Sequence, residues 1–341
     1  MSASEAKTAN PFIPSLNNAV IAGTGSHLPS RVLSNADLEK MVETSDEWIT
    51  SRTGIKERRI AAADEYTSHL GAAAALKALT EAGVKAEDVD LIICATITPD
   101  MPFPNTASLI QEKIGARRAA CFDLEAACTG FLYGLEVGRQ FIATGAHQTV
   151  LVVAAEKISA ITDWKDRNTC VLFGDGAGAA VLRPSATARG IIRSCLGSNG
   201  ALAHLISMPG GGSQHPASLE TVNNREHFLK MQGREVYKHA VLGMSQAALH
   251  TLQLSGLKAE DITCILPHQA NVRIIEGVAD RIGVPLEKFY LNLHRYGNMS
   301  AASVAIAMDE AAREGRFKRG DFLLMVAFGA GLTWGATALQ W

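Results

Sequence analysis

Two stretches of this chain repeat one another, and the repeat dictates how the chain can be laid out. Ala82–Thr96, AGVKAEDVDLIICAT, parallels Ser255–Gln269, SGLKAEDITCILPHQ; each is a Gly-x-Lys-Ala-Glu-Asp turn running into an apolar strand. Gly256 stands 173 positions after Gly83. A second pair follows in the same order, Gly145–Lys157 against Gly320–Gly331, at a spacing of 175. Each is followed by a Gly-rich turn and a closing strand, Ala177–Leu182 and Thr333–Leu339. Two matches in order and register point to duplication rather than chance.

Within each half, strands alternate with helices, which implies mostly parallel sheets covered by helices. The pattern predicts helices over Thr67–Ala82, Phe103–Ile114, Cys128–Thr144, Gly233–Gln253, Ala270–Ile282 and Ser300–Glu314. The third and sixth correspond across the repeat, and both begin with a nearly uncharged run of small and apolar residues. Helices buried all round belong between two sheets. The expected fold is therefore α/β, a duplicated five-layer α/β/α/β/α architecture. It divides into an N-terminal tail over 1–18, a first half over 19–185 and a second over 186–341. A charged fraction of 19% beside 47% apolar residues fits so large a core, since about 25% charged is usual.

Several function classes drop out. A net charge of −2 argues against a nucleic-acid partner. The chain has no apolar run near the ~18 residues of a membrane span, and its first residues contain no signal-peptide core. The six cysteines (94, 121, 128, 170, 195 and 264) form no CxxC or Cys/His ligand spacing, so neither a zinc site nor a disulfide framework is expected. A reducing cytoplasm is the expected compartment.

Chemistry concentrates at strand ends, where open α/β sheets place their sites. Cys128 follows the strand Cys121–Ala126 and opens a buried helix. Unpaired N–H groups and the helix dipole there are expected to lower a thiol toward its reactive thiolate. In the second half, His268 follows the strand Ile262–Leu266 and Asn298 precedes the second buried helix. Singly, such residues usually pack, satisfy hydrogen bonds or cap helices; their joint placement at duplicated strand ends favours a site. His294 is the rival histidine, in a loop. FGDGAG (Phe173–Gly178) and FGAGLTWG (Phe328–Gly335) precede strands rather than helices, so they are no phosphate cradle. Gly329–Gly331 could instead offer backbone N–H groups to an oxyanion.

These residues carry a resemblance. TSDEWITSRTGIKERRIA, EAACTGF, LFGDGAGAAVL, LPHQANVRII, YGNMSAASVAIAMDEA and FGAGLTWG occur in order, and from Ala19 to Trp341 the chain resembles the beta-ketoacyl-acyl carrier protein synthase III family of thiolase-fold condensing enzymes. The resemblance implies a Cys128–His268–Asn298 triad. Cys128 would take an acyl group from acyl-CoA, probed first with acetyl-CoA. His268 and Asn298 would stabilise the enolate formed when malonyl-acyl carrier protein loses CO2. The oxyanion would sit on backbone N–H groups of Cys128 and Ala330, with Phe328 keeping the site dry. Trp48, Arg52 and Arg167 would line the CoA mouth, with Trp48 and Arg167 sandwiching the adenine. Phe103 would cross a homodimer interface to border the partner's acyl pocket. Lys238, Asn271 and Arg273 would face the acidic carrier protein. No cofactor is implied, because the CoA thioester is a substrate.

The chain departs from the family pattern in four places. Asp280 and Arg281 stand where two basic residues are expected, Ala330 replaces a frequent Gly, and Leu332 a frequent Phe. The stretch Gly200–Lys230 is longer than usual. Three rival readings remain: a secondary-metabolism condensing enzyme with another starter or acceptor, a Cys–His hydrolase, and a non-catalytic CoA-binding module. No carboxylate is obviously placed to orient His268 as a hydrolase base.

Overall fold

The duplicated Gly-x-Lys-Ala-Glu-Asp segments fold alike for a local reason. The structure, a computed structural model, describes residues 18–185 and 190–341; the expected N-terminal tail lies outside the described residues except for Asn18, which begins the first strand. Gly83 and Gly256 end helices α1 (Thr67–Ala82) and α4 (Gly233–Ser255) at φ 63° and 68°. No atom crowds the place where a Cβ would stand at either one, so it is the left-handed backbone that calls for glycine. A 3₁₀ turn follows each, and then strand β2 (Leu91–Ala95) or β7 (Ile262–Pro267).

The first sheet runs in the order β1–β5–β4–β2–β3, with β1 Asn18–His27, β3 Ala120–Leu124, β4 Val150–Lys157 and β5 Asp175–Ser185. The second runs β6–β9–β8–β7, with β6 Gly190–Ser198, β8 Phe322–Gly329 and β9 Thr333–Gln340. Register carries the repeat as well: Leu91 faces Val150, and Cys264 faces Leu323, each member displaced by 173. Where the first sheet has β3, the second has a single parallel bridge from Ile265 to Phe289.

Both sheets are mixed rather than mostly parallel. β2 pairs in parallel with β3 and β4, and β7 with β8, while β5 and β9 close each half antiparallel. The turn from β8 to β9 is too short for the crossover that parallel pairing needs. β2 is apolar throughout and β4 is apolar from Val150 to Ala155, as burial on both faces demands.

Five layers result. α1 and α2 (Thr106–Ile114) cover the outer face of the first sheet, and α4 and α5 (Val272–Ile282) that of the second. Between the sheets lie α3 (Gly130–Ala143) and α6 (Ala302–Arg313), each touching strands of both. The core between them is sealed by Phe131, Leu132, Ile306 and Met308, all fully buried. Buried Arg58 ties the Trp48 region to the body by donating to Leu33 O, Asn35 Oδ1 and Val171 O at 2.7–3.1 Å. Burial pushes its guanidinium down to about 10.

Candidate active site

Strand β3 ends at Leu124, and the chain reaches α3 through a 3₁₀ turn, Ala127–Thr129, that presents Cys128. The predicted helix start is thus displaced to Gly130. Ala127 adopts φ 46°, a conformation costing a non-glycine residue about 1 kcal/mol or more. The second half pays into the same place. Gly329 lies so close that a Cβ on it would stand 2.7 Å from Cys128 N and 3.2 Å from Ala127 Cβ. Thr333 Oγ1 donates to Ala126 O and Ala330 O at 3.2 and 2.9 Å and accepts from Thr129 Oγ1 at 2.9 Å, clamping the loop onto the turn.

His268 extends the β7–β8 pairing by donating its N–H to Val326 O at 2.8 Å. Its side chain is 4% exposed and Nδ1 has no hydrogen-bond partner. Asn298, 7% exposed, is held by the Phe173 turn: its N–H donates to Leu172 O at 2.8 Å and its carbonyl accepts from Gly174 N at 3.0 Å. The Asn298 side chain accepts from Ser300 N at 2.8 Å and does not cap α6, whose N-cap is Ala301. FGDG therefore acts as a clamp on Asn298.

Cys128, His268, Asn298, Phe328 and Ala330 all line one cavity of about 830 Å3. Its mouth is bordered by Trp48, Arg52, Asn271 and Arg273. Arg52 and Arg167 both stack on Trp48, at 5.0 and 5.2 Å from the ring centre. Arg167 is outside the cavity lining and also donates to Glu43 O at 2.9 Å. Asn271 caps α5 by accepting from Arg273 N at 2.9 Å. Lys238, away from the cavity lining, pairs with Glu235 at 2.8 Å. Phe103 is 84% exposed and is not part of the lining; nor is the rival His294, which is exposed.

The electrostatics correct one expectation. Burial pushes the Cys128 thiol up to about 12, with Glu156 and Glu125 adding to the rise. A helix N-terminus is worth at most about 2 kcal/mol, less than the roughly 4 kcal/mol such a rise represents. Burial therefore outweighs the helix terminus and favours the neutral thiol. Burial also pushes the His268 imidazole down to about 4, leaving it neutral, with a ring N–H to donate.

Three features had no signal in the sequence. Ile206, Leu229 and Met231 bring the long 200–230 stretch into the cavity wall, and an Arg225–Asp163 ion pair ties that stretch down. Ser300 shares the wall at φ 47°. Glu156, at the end of β4, is fully buried beside it. An apolar strand ending in Glu-Lys reads as a strand reaching solvent, which hides such a carboxyl.

Comparison with known proteins places the chain in a family. Residues 122–200 match the 3-oxoacyl-[acyl-carrier-protein (ACP)] synthase III family model and 252–341 its C-terminal counterpart. The chain is 54% identical to the beta-ketoacyl-[acyl-carrier-protein] synthase III of Desulfitobacterium hafniense, over 94% of this chain and 97% of the relative. It is also 54% identical to that of Caldanaerobacter subterraneus, over 95% and 98%. The crystal structure of 3-oxoacyl-[acyl-carrier-protein] synthase III from Aquifex aeolicus superposes with a TM-score of 0.88 at 46% identity, covering 95% of this chain and all of that one. The chain belongs to the beta-ketoacyl-[acyl-carrier-protein] synthase III family.

Proposed function

We propose that this chain performs the decarboxylative Claisen condensation of an acyl-CoA, acetyl-CoA in the first instance, with malonyl-acyl carrier protein, releasing CO2, CoA and 3-oxoacyl-acyl carrier protein. The reaction starts type II fatty acid synthesis. The observation that carries the reading is the convergence of Cys128, His268 and Asn298, from both halves of the duplication, on one cavity.

Acylation comes first. Cys128 attacks the thioester carbonyl, and backbone N–H groups at Cys128 and Ala330 face the developing oxyanion; the close approach of Gly329 to Cys128 N supports that placement. CoA then leaves. Malonyl-acyl carrier protein binds, and as CO2 departs, charge moves to the thioester oxygen, where neutral His268 and Asn298 donate. The resulting carbanion attacks the acyl-Cys128 carbonyl. This two-stage route is ordinary covalent catalysis with ping-pong kinetics. Neutral donors suit the enolate, and the depressed His268 imidazole supports that role.

Trp48, Arg52 and Arg167 form the CoA-facing rim, supported by their stacking. Asn271 and Arg273 border the same mouth and would meet the carrier protein; Lys238 is a weaker candidate because of its pairing with Glu235. The exposed Phe103, with Met101 44% exposed beside it, supports a homodimer contact. Six unpaired cysteines fit a cytoplasmic setting. No helix among the described residues is long and apolar enough to cross a membrane.

The test is intact-mass analysis after incubation with a panel of acyl-CoAs, followed by malonyl-acyl carrier protein. An acyl adduct on Cys128 that disappears as 3-oxoacyl-acyl carrier protein forms is the expected result. An adduct that yields free acid instead would establish the hydrolase.

A further inference from the structure

Glu156 is a buried carboxyl that the mechanism above leaves unused. Its Oε2 accepts from Thr98 Oγ1 at 2.7 Å, Ile97 N at 3.1 Å and Thr96 Oγ1 at 3.2 Å. Its Oε1 has no partner among the described residues. Ser300 Oγ is likewise buried with no hydrogen-bond partner among the described residues; Ser300 shares the cavity wall with Cys128, and its hydroxyl favours the ionised form of both the Glu156 carboxyl and the Cys128 thiol. A hydroxyl between an unpartnered carboxylate oxygen and a thiol has the makings of a proton path.

The duplication explains why these groups meet. Ser300 and Ala127 are equivalent, 173 positions apart, and both hold the left-handed backbone, at φ 47° and 46°. Gly329 and Glu156 are also 173 apart and end equivalent strands. The contact of Gly329 with Ala127, 3.2 Å from a built Cβ, is therefore mirrored by the approach of Glu156 to Ser300. One copy of this junction brings backbone against Cys128; the other brings a carboxyl and a hydroxyl to its far side.

We propose that Glu156, acting through Ser300, accepts the Cys128 proton during acyl transfer and returns it when Cys128 later leaves as a thiolate. The proposal rests on Cys128 being the acylated residue. In the first step the thiol proton passes to Ser300 Oγ while the Ser300 proton passes to Glu156 Oε1. The sulfur pair attacks the acyl carbonyl, and CoA leaves as a thiolate that takes a proton from water. In the second step the carbanion displaces Cys128, whose thiolate recovers a proton from Ser300 as Glu156 gives up its own. One solvent proton is consumed per condensation, matching the CO2 lost from a malonyl carboxylate. Glu156 is a positioning and proton-holding residue, since in this step it acts on the sulfur through Ser300.

Protonation levels support the assignment. Burial raises the Glu156 carboxyl to about 7, opposed by its hydrogen bonds, so it exchanges a proton near neutral pH more readily than His268 at about 4. The groups facing Glu156 are Cys128 across Ser300 and Cys94 on β2. Beyond them, Asp100 is bound to Ser68, Asp123 to the Thr106 and Ala107 N–H groups, Asp175 to Ser159, and Lys157 to Ala62 O and Glu65 O. Glu125 accepts from Ala127 N.

The experiment is rapid-quench mass analysis of acyl-Cys128 formation from acetyl-CoA between pH 5.5 and 8.5 (a window of about 1.5 units either side of neutrality), with wild type, Glu156→Gln and Ser300→Ala. Alanine is tolerable at 300 because Ala127 occupies the equivalent strained turn. Wild type should acylate faster as pH rises through about 7. Both variants should be slower by about 100-fold and lose that rise. If either variant acylates at the wild-type rate, or if both slow down but keep the wild-type pH profile as a structural defect would, the proposal is overturned. An unacylated Cys128 in wild type at every pH would instead overturn the nucleophile assignment beneath it.

Discussion

At the head of α3 the chain turns through Ala127 and presents Cys128; at the head of α6 it turns through Ser300 and presents Ala301 in the equivalent place. The backbone is the same, with φ near 46° in both, yet the chemistry has been divided. The first head carries Cys128, the proposed nucleophile. The second carries Asn298 just ahead of it, and the strand end nearby supplies His268. Two similar junctions thus stand around one cavity, and in the proposed mechanism side-chain divergence gives one the acyl group and the other the carbanion. Strain at both turns, in the only such pair facing the cavity among the described residues, is the mark of that shared origin.

The sharpest way to break this division is at the first head. Cys128→Ser should abolish both acyl labelling from radiolabelled acetyl-CoA and condensation, a loss of at least about 10⁴-fold; retained labelling would remove Cys128 from its role. At the strand end opposite, Gly329→Ala should slow acylation by about 10–100-fold, an effect the size of a lost oxyanion donor. The added Cβ would stand 2.7 Å from Cys128 N, so the loop must move; a variant acylating normally would separate Gly329 from the oxyanion.

Stability against pH sharpens the contrast between the two strand ends. Glu156 is raised from its ordinary 4.5 to about 7, so the folded state holds this proton more tightly than the unfolded. Its contribution is full below pH 4.5 and is lost as pH rises through about 7, up to about 3 kcal/mol. His268 runs the other way, lowered from 6.5 to about 4: its contribution is present above pH 6.5 and lost as pH falls through 4. Glu156→Gln should therefore gain stability over wild type at pH 8 but not at pH 4 in denaturant titrations. An equal difference at both pH values would mean that burial does not raise this carboxyl. The smallest effect concerns docking. Arg273→Ala should weaken the carrier protein by about 1 kcal/mol or less at physiological salt, read as a raised KM for malonyl-acyl carrier protein with that for acyl-CoA unchanged.

Much of this molecule could be read from its residues, because local chemistry repeats where structure repeats. Gly83 and Gly256 announced two helix ends, and the apolar runs after them announced two strands. The boundaries slipped where side chains, not periodicity, set them: α2 begins at Thr106 because Asn105 accepts from Ser108 N at 2.8 Å, and α3 begins after a 3₁₀ turn. The second sheet's missing fifth strand was invisible, since Phe289–Leu291 forms only one bridge. The candidate triad was legible as polar residues at duplicated strand ends. The state of its thiol was not, because desolvation depends on what packs around Cys128 and no run of residues encodes that. Glu156 escaped for the same reason: a charged residue ending a strand looks solvent-facing until it proves buried.

The division of labour between the two heads is tested most directly with His268→Ala, by following acyl-Cys128 formation and CO2 release from malonyl-acyl carrier protein in parallel. The account predicts acyl-Cys128 at close to the wild-type rate while CO2 release falls by about 100-fold or more. Normal CO2 release, or loss of acylation together with decarboxylation, would contradict it.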